Sequence, residues 1–153
     1  YKKLYDKYGA QGWWPLLENE QIIYHKNDYS YPKNQNQTFE VAVGSILTQN
    51  TTFASVVKSL INLNRYDLLK PSNLLKIDIN TIKEAIKPSG YFNQKANYLL
   101  NFTKFFIALD NKIPNRDELL GIKGIGEETA DSILLYGYNQ PSMKIDAYTK
   151  RLF

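Results

Sequence analysis

The stretch Leu119-Leu120-Gly121-Ile122-Lys123-Gly124-Ile125-Gly126-Glu127-Glu128-Thr129-Ala130 decides how the chain is read. It closes one helix, turns through Gly124-Ile125-Gly126, and opens a second helix that runs on through Ala130, Ile133 and Leu134. Two glycines in so short a turn permit positive φ and close approach of the backbone to a neighbour. The second helix then aims its free N–H groups at whatever lies over the turn, an anion site built from backbone rather than from side-chain charge. Ile122 and Ile125 are the apolar pins expected between the two helices. Glu127 and Glu128 fall in the first turn, where acidic side chains complement the helix dipole. They oppose a bound anion slightly, so the amides must dominate. For the G-x-G alone, an ordinary helix–turn–helix connection with a glycine cap stands as the alternative.

On either side of this hairpin the pattern is helical. Upstream, Pro114 and Asn115 start the short helix that ends near Gly121, and Tyr91 to Leu109 form the longest amphipathic stretch. Ile79 to Ile86 predict another helix, stopped by Pro88 and Gly90, and Pro71-Ser72 opens a short one. Phe53, Val56, Val57, Leu60, Ile61 and Leu63 mark a helix capped by Thr52, and Phe39, Val43, Ile46 and Leu47 mark one capped by Thr38. Before it, Lys26 to Gln37 is polar and Asn-rich and reads as a linker, with His25 a solvated residue at its edge. No segment sustains a period of two. The expected fold is therefore all-α, with six to nine short helices.

With 153 residues the chain suits one domain, or one plus part of a second. At 43% hydrophobic and 22% charged it is neither disordered nor fibrous, and no apolar run nears the roughly 18 residues of a membrane helix. The expected protein is therefore cytoplasmic, with no membrane partner. A net charge of +4 leans weakly toward polyanions. With no cysteine, these residues hold no disulfide and no thiolate metal site. The chain starts at Tyr1 and stops at Phe153 inside the apolar-patterned segment Ile145 to Phe153, so it reads as part of a longer protein.

The ordered L-x-G-I-x-G-I-G-x-x-T-A string resembles the helix-hairpin-helix of base-excision DNA glycosylases, the endonuclease III superfamily. Two further blocks extend the resemblance, Phe39 to Asn50 (FEVAVGSILTQN) and Lys87 to Ala96 (KPSGYFNQKA). Trp13-Trp14-Pro15, with Phe39, resembles the bacterial 3-methyladenine DNA glycosylases of endonuclease III type. The resemblance covers roughly residues 11 to 153. It implies a helix-hairpin-helix DNA glycosylase fold, with a helical barrel-like domain at 38–137 that carries the hairpin at 115–136. A second, incomplete helical domain would draw on 1–37 and on 138–153, the latter holding the catalytic loop and the start of C-terminal helices.

The resemblance also implies roles for particular residues. Asp146, twenty residues after Gly126, matches the family's essential carboxylate, which can stabilise positive charge on the sugar or position the attacking water; read by itself, it is an N-cap for the last helix. Gln49 matches the residue that wedges into the DNA stack when a nucleotide is flipped out; Gln49 and Asn50 equally suit a helix C-terminus. Gly90 and Lys95 are expected at phosphate, as are Gly124, Ile125, Gly126 and Thr129 of the hairpin. Trp13, Trp14 and Phe39 would line a base pocket, where stacking on a cationic methylated purine gains a cation–π term; as the alternative, the two tryptophans plug the small domain's core. Glu128 joins this pocket at the position where bifunctional relatives carry a Lys that forms a Schiff base. A carboxylate cannot form an imine, so hydrolysis without strand cleavage is expected.

The expected function is thus a monofunctional glycosylase for an alkylated purine such as 3-methyladenine. It would act on double-stranded DNA as a monomer when full length, with no cofactor from these residues. The resemblance leaves open a 4Fe–4S cluster beyond Phe153. The alternatives are an endonuclease III-like glycosylase and lyase for oxidised pyrimidines, and a non-catalytic DNA-binding module.

Overall fold

A computed structural model describes residues 2–9, 14–145 and 147–152. Trp13 and Asp146 lie outside them. The architecture is helical, as expected, with one addition. After α1 (Lys2–Tyr8), the strands β1 (Leu16–Glu18) and β2 (Gln21–Ile23) form an antiparallel hairpin, with Leu17 opposite Ile22. Asn19 and Glu20 both take positive φ at its turn (49° and 61°), the primed-turn geometry that matches strand twist. Strands of three residues are too short for an alternation to register in sequence.

The central helix α2 (Gln35–Leu47) begins one turn earlier than Thr38 predicts. The Asn34 side chain accepts from the Gln37 N–H at 3.0 Å, so the polar residues 35–37 become an exposed first turn rather than linker. Every residue from Thr38 to Leu47 is buried. Around α2 pack α3 (Phe53–Arg65), α4 (Pro71–Leu74), α5 (Ile79–Ile86) and α6 (Phe92–Ala108). The hairpin follows as α7 (Arg116–Leu120) and α8 (Glu127–Ser132), and α8 runs into a π-helical turn at Ile133–Gly137 before α9 (Ala147–Leu152). Asn115 and Glu118 form a reciprocal capping box on α7. Ile125, Ala130 and Ile133 join Ile46, Leu47, Leu99 and Phe102 in one core, so the glycine turn is fixed to the centre of the molecule. Among the described residues no helix is long and apolar enough to cross a membrane.

Two residues depart from their expected surroundings. His25 is packed rather than solvated: its ring stacks on Tyr31 at 3.5 Å and Nε2 lies 3.0 Å from Glu18 Oε1. Glu40, 7% exposed, sits inside the core face of α2 with Oε1 accepting from the Leu17 N–H at 2.6 Å. Burial pushes its carboxyl up to about 7; the Leu17 N–H opposes the rise and the Glu18 charge adds to it. A carboxyl raised on folding binds its proton more tightly in the native state, so its contribution is full below the unfolded value of 4.5 and is lost as pH rises through about 7. The native protein is therefore expected to lose on the order of 3 kcal/mol between pH 4.5 and 8 relative to Glu40→Gln. Denaturant unfolding of both proteins at the two pH values checks this; parallel pH profiles would refute it.

Candidate functional site

The hairpin turn is built around one glycine that has no substitute. Gly124 has φ 103°, and a Cβ there would overlap Tyr98 at its Cγ and Cδ1. Gly126 differs: its backbone is extended (φ −94°, ψ 176°) and a Cβ would meet nothing within 4 Å. The turn therefore needs Gly124 for its shape, while Gly126 keeps the N-terminal end of α8 uncovered. Gly126, Glu127 and Glu128 are exposed there, and no side chain caps the helix.

Gln49 stitches the end of α2 to this turn. Its Nε2 donates to the Gly124 carbonyl at 3.0 Å and to Thr129 Oγ1 at 3.1 Å. The residue predicted to wedge into a duplex is thus already engaged by its side-chain amide. Its neighbour Asn50 is exposed and left-handed (φ 52°), a conformation that Asn tolerates, and forms the free tip. Opposite it, Gly90 (φ 68°) ends the 3₁₀ turn Lys87–Ser89, and Tyr91 (φ 46°) stands 67% exposed at the start of α6. Asn50, Tyr91, Gln94 and Tyr98 line one groove between the two tips.

Lys95 does not contact solvent as a phosphate ligand would. It is 2% exposed, and its Nζ donates to the carbonyls of Leu47 (2.9 Å) and Ser89 (2.7 Å). Those carbonyls precede the Asn50 and Tyr91 tips, so the ammonium ties the two loops together from beneath. Burial pushes its amine down to about 8. Lys95→Ala would orphan both carbonyls, and a loss of about 2–4 kcal/mol is expected. Chemical denaturation measures it, and a variant within 0.5 kcal/mol (about the scatter of surface changes) would show that the tie is dispensable.

Beside the turn lies a pocket between α2 and α8, lined by Trp14, Thr48, Gln49, Glu128, Thr129 and Lys144, among others. Trp14 supplies its aromatic wall. The indole packs on Gly44, where a Cβ would come within 3.3 Å of Nε1, and contacts Tyr136 (5.3 Å) and, edge-on, Phe53 (6.3 Å). Phe39 is not part of this wall. It is 0% exposed, stacks on Phe102 and meets Phe106 at a tilt, because the α2 face that carries it turns toward α6. The sequence alone offered no way to tell the two faces apart in a helix that is apolar on nearly all sides.

The segment leading to Asp146 runs along the hairpin. Ser142 Oγ donates to Asp131 Oδ1 at 3.1 Å, and Arg116 Nε donates to the same carboxylate at 2.9 Å. Arg116's hydrogen bond holds the Asp131 carboxyl below its usual range. Two residues before Asp146, Lys144 Nζ lies 3.4 Å from Glu128 Oε1 at the pocket. Asp131, Ser142 and Lys144 were not singled out by sequence reasoning; a lone Ser or Lys in a polar connection carries no periodic signal.

Residues 43–153 match the family described as HhH-GPD superfamily base excision DNA repair protein. A candidate DNA repair glycosylase of Methanocaldococcus jannaschii is 41% identical over 100% of this chain and 66% of its own length. Endonuclease III of Sulfolobus acidocaldarius is 33% identical over 82% of this chain and 59% of its own. Among solved structures, H. pylori 3-methyladenine DNA glycosylase bound to 1,N6-ethenoadenine aligns with a TM-score of 0.66 and 32% identity, covering 75% of this chain and 61% of that one. The chain thus spans between 59% and 66% of the length of these relatives.

Proposed function

The chain belongs to the HhH-GPD superfamily of base excision DNA repair proteins, and from that membership we propose that the protein is a monofunctional DNA glycosylase acting on an alkylated purine in double-stranded DNA. The observation that carries the reading is the pocket beside the hairpin, with an indole for one wall and Glu128 on its rim. An aromatic face attracts a cationic methylated base more than a normal one. Backbone amides at the start of α8 grip the phosphate backbone, and the Asn50 tip fills the space that a flipped nucleotide vacates. Asp146, carried on the segment fastened at Ser142 and Lys144, stabilises the sugar cation or directs water at C1′. Cleavage then lies between the barrel domain, 38–137, and the partial second domain formed by 1–37 and 138–153.

Hydrolysis of this kind draws on a carboxylate and water. One observation favours a second reading, endonuclease III-like lyase chemistry: the Lys144 amine borders the pocket. Its Nζ is engaged by Glu128 Oε1 at 3.4 Å, however, and Glu128 itself holds the hairpin position, two residues after Gly126, at which bifunctional relatives carry their Schiff-base Lys. An excision assay on duplexes carrying methylated purines or oxidised pyrimidines tests the substrate class. Release of a methylated purine is expected, and release of oxidised pyrimidines alone would overturn the reading.

A further inference from the structure

We propose that Glu40 is a positioning residue: it latches the segment that carries Trp14 onto α2 and so sets the aromatic wall of the pocket. The proposal rests on the reading of that pocket as the base site.

Glu40 and Gly44 lie one turn apart on α2 and face the same N-terminal segment. Glu40 takes the Leu17 N–H at 2.6 Å, and Gly44 opens the seat for the Trp14 indole. Between the two anchor points, Pro15 and Leu16 are buried. The short spacing makes the coupling specific. Only Pro15 and Leu16 separate Trp14 from the anchored Leu17 N–H, so holding that N–H on α2 limits where the indole can sit. A slip of one residue would take the indole off Gly44.

Among the described residues a second polar link from this segment to the helices is the Glu20–Arg65 pair at 2.8 Å, which is exposed on both sides and correspondingly weak. Glu40 is the buried one. An apolar side chain would fill the same space without an ionisable group, so packing alone does not account for an acid there. Both protonation states keep an oxygen able to accept from the Leu17 N–H. The charged group that acts on Glu40 through space is Glu18, itself beside His25.

Glu40→Met keeps length and apolar packing but removes the acceptor; Glu40→Gln keeps an acceptor. In the Met variant, hydrogen exchange at the Leu17 amide is expected to speed up at least tenfold and the Trp14 indole N–H resonance to move. kcat/KM on a methylated-purine duplex is expected to fall at least tenfold, while affinity for undamaged duplex stays within twofold. The Gln variant should keep all of these near the parent values. A Met variant with Leu17 protected and Trp14 unmoved overturns the latch. One with the segment freed but excision intact overturns the positioning role. Should the Met variant not fold, Gly44→Ala crowds the indole from the same helix face without touching Glu40. A shifted Trp14 resonance with at least threefold slower excision is then expected, and unchanged excision despite that shift would refute the proposal. If the parent protein excises no base, the functional reading fails, whereas the Leu17 and Trp14 signals still decide the latch.

Discussion

Asp146→Asn is expected to lower base excision by about 10³-fold or more while affinity for duplex DNA falls less than tenfold, about 1.4 kcal/mol. The substitution keeps size and hydrogen-bonding shape and removes the negative charge. A sugar developing positive charge at C1′ loses its electrostatic partner, and water loses the base that directs it. Under the proposed function phosphate grip is the work of the amides at the start of α8, not of Asp146. The fastening of its segment strengthens the expectation: Asp131 holds Ser142 and Glu128 holds Lys144 within four residues of it. Single-turnover excision and fluorescence anisotropy on the same duplex separate the two effects. Normal turnover by the variant would remove Asp146 from the mechanism.

Gly124→Ala introduces the closest clash that an added Cβ would meet among the described glycines. The added Cβ would overlap Tyr98, and the residue would have to hold φ 103°, a conformation that L side chains rarely adopt. Either Tyr98 must leave α6's flank or the turn must open, and opening it displaces the Gly124 carbonyl that accepts from Gln49. A loss of about 3–5 kcal/mol in stability is expected, with affinity for any duplex, damaged or not, down more than tenfold. Gly126→Ala is the control. Its extended backbone suits any residue and no atom stands in the way, so stability should hold to within about 1 kcal/mol. Any loss of binding there would report a methyl group between the amides and phosphate. Denaturation curves and salt-dependent binding of both variants decide the matter. A Gly124→Ala protein as stable as the parent would contradict the geometry of the turn.

The sequence was most legible where local chemistry ends an element. Pro88 and Gly90 stop α5 at Ile86, and Pro114 with Asn115 starts α7, because caps and breakers act through their own backbone. It was less legible where a tertiary partner decides. The first turn of α2 looked like linker because its residues are polar, yet they need only a cap and solvent. Phe39 looked like a pocket residue because its helix is buried on all sides, and only the packing against Phe102 and Phe106 assigns its face. Lys95 looked like a surface charge because nothing nearby in sequence offers it two carbonyls; they come from 48 and 6 residues away. Gln49 was singled out at the end of α2, but its hydrogen-bond partner lies 75 residues on, in the turn itself. Glu40 and Gly44 carry meaning only once the N-terminal segment is laid over them.

The claim at the centre of this account is hydrolysis without strand cleavage, and product analysis tests it most directly. A duplex containing a methylated purine is incubated with the protein, split between neutral work-up, hot alkali and borohydride reduction, and resolved under denaturing conditions. The account predicts an abasic strand that stays intact until alkali breaks it, with no protein covalently trapped by borohydride. A strand already nicked at neutral pH, together with a trapped protein–DNA adduct lost on Lys144→Met, would contradict it.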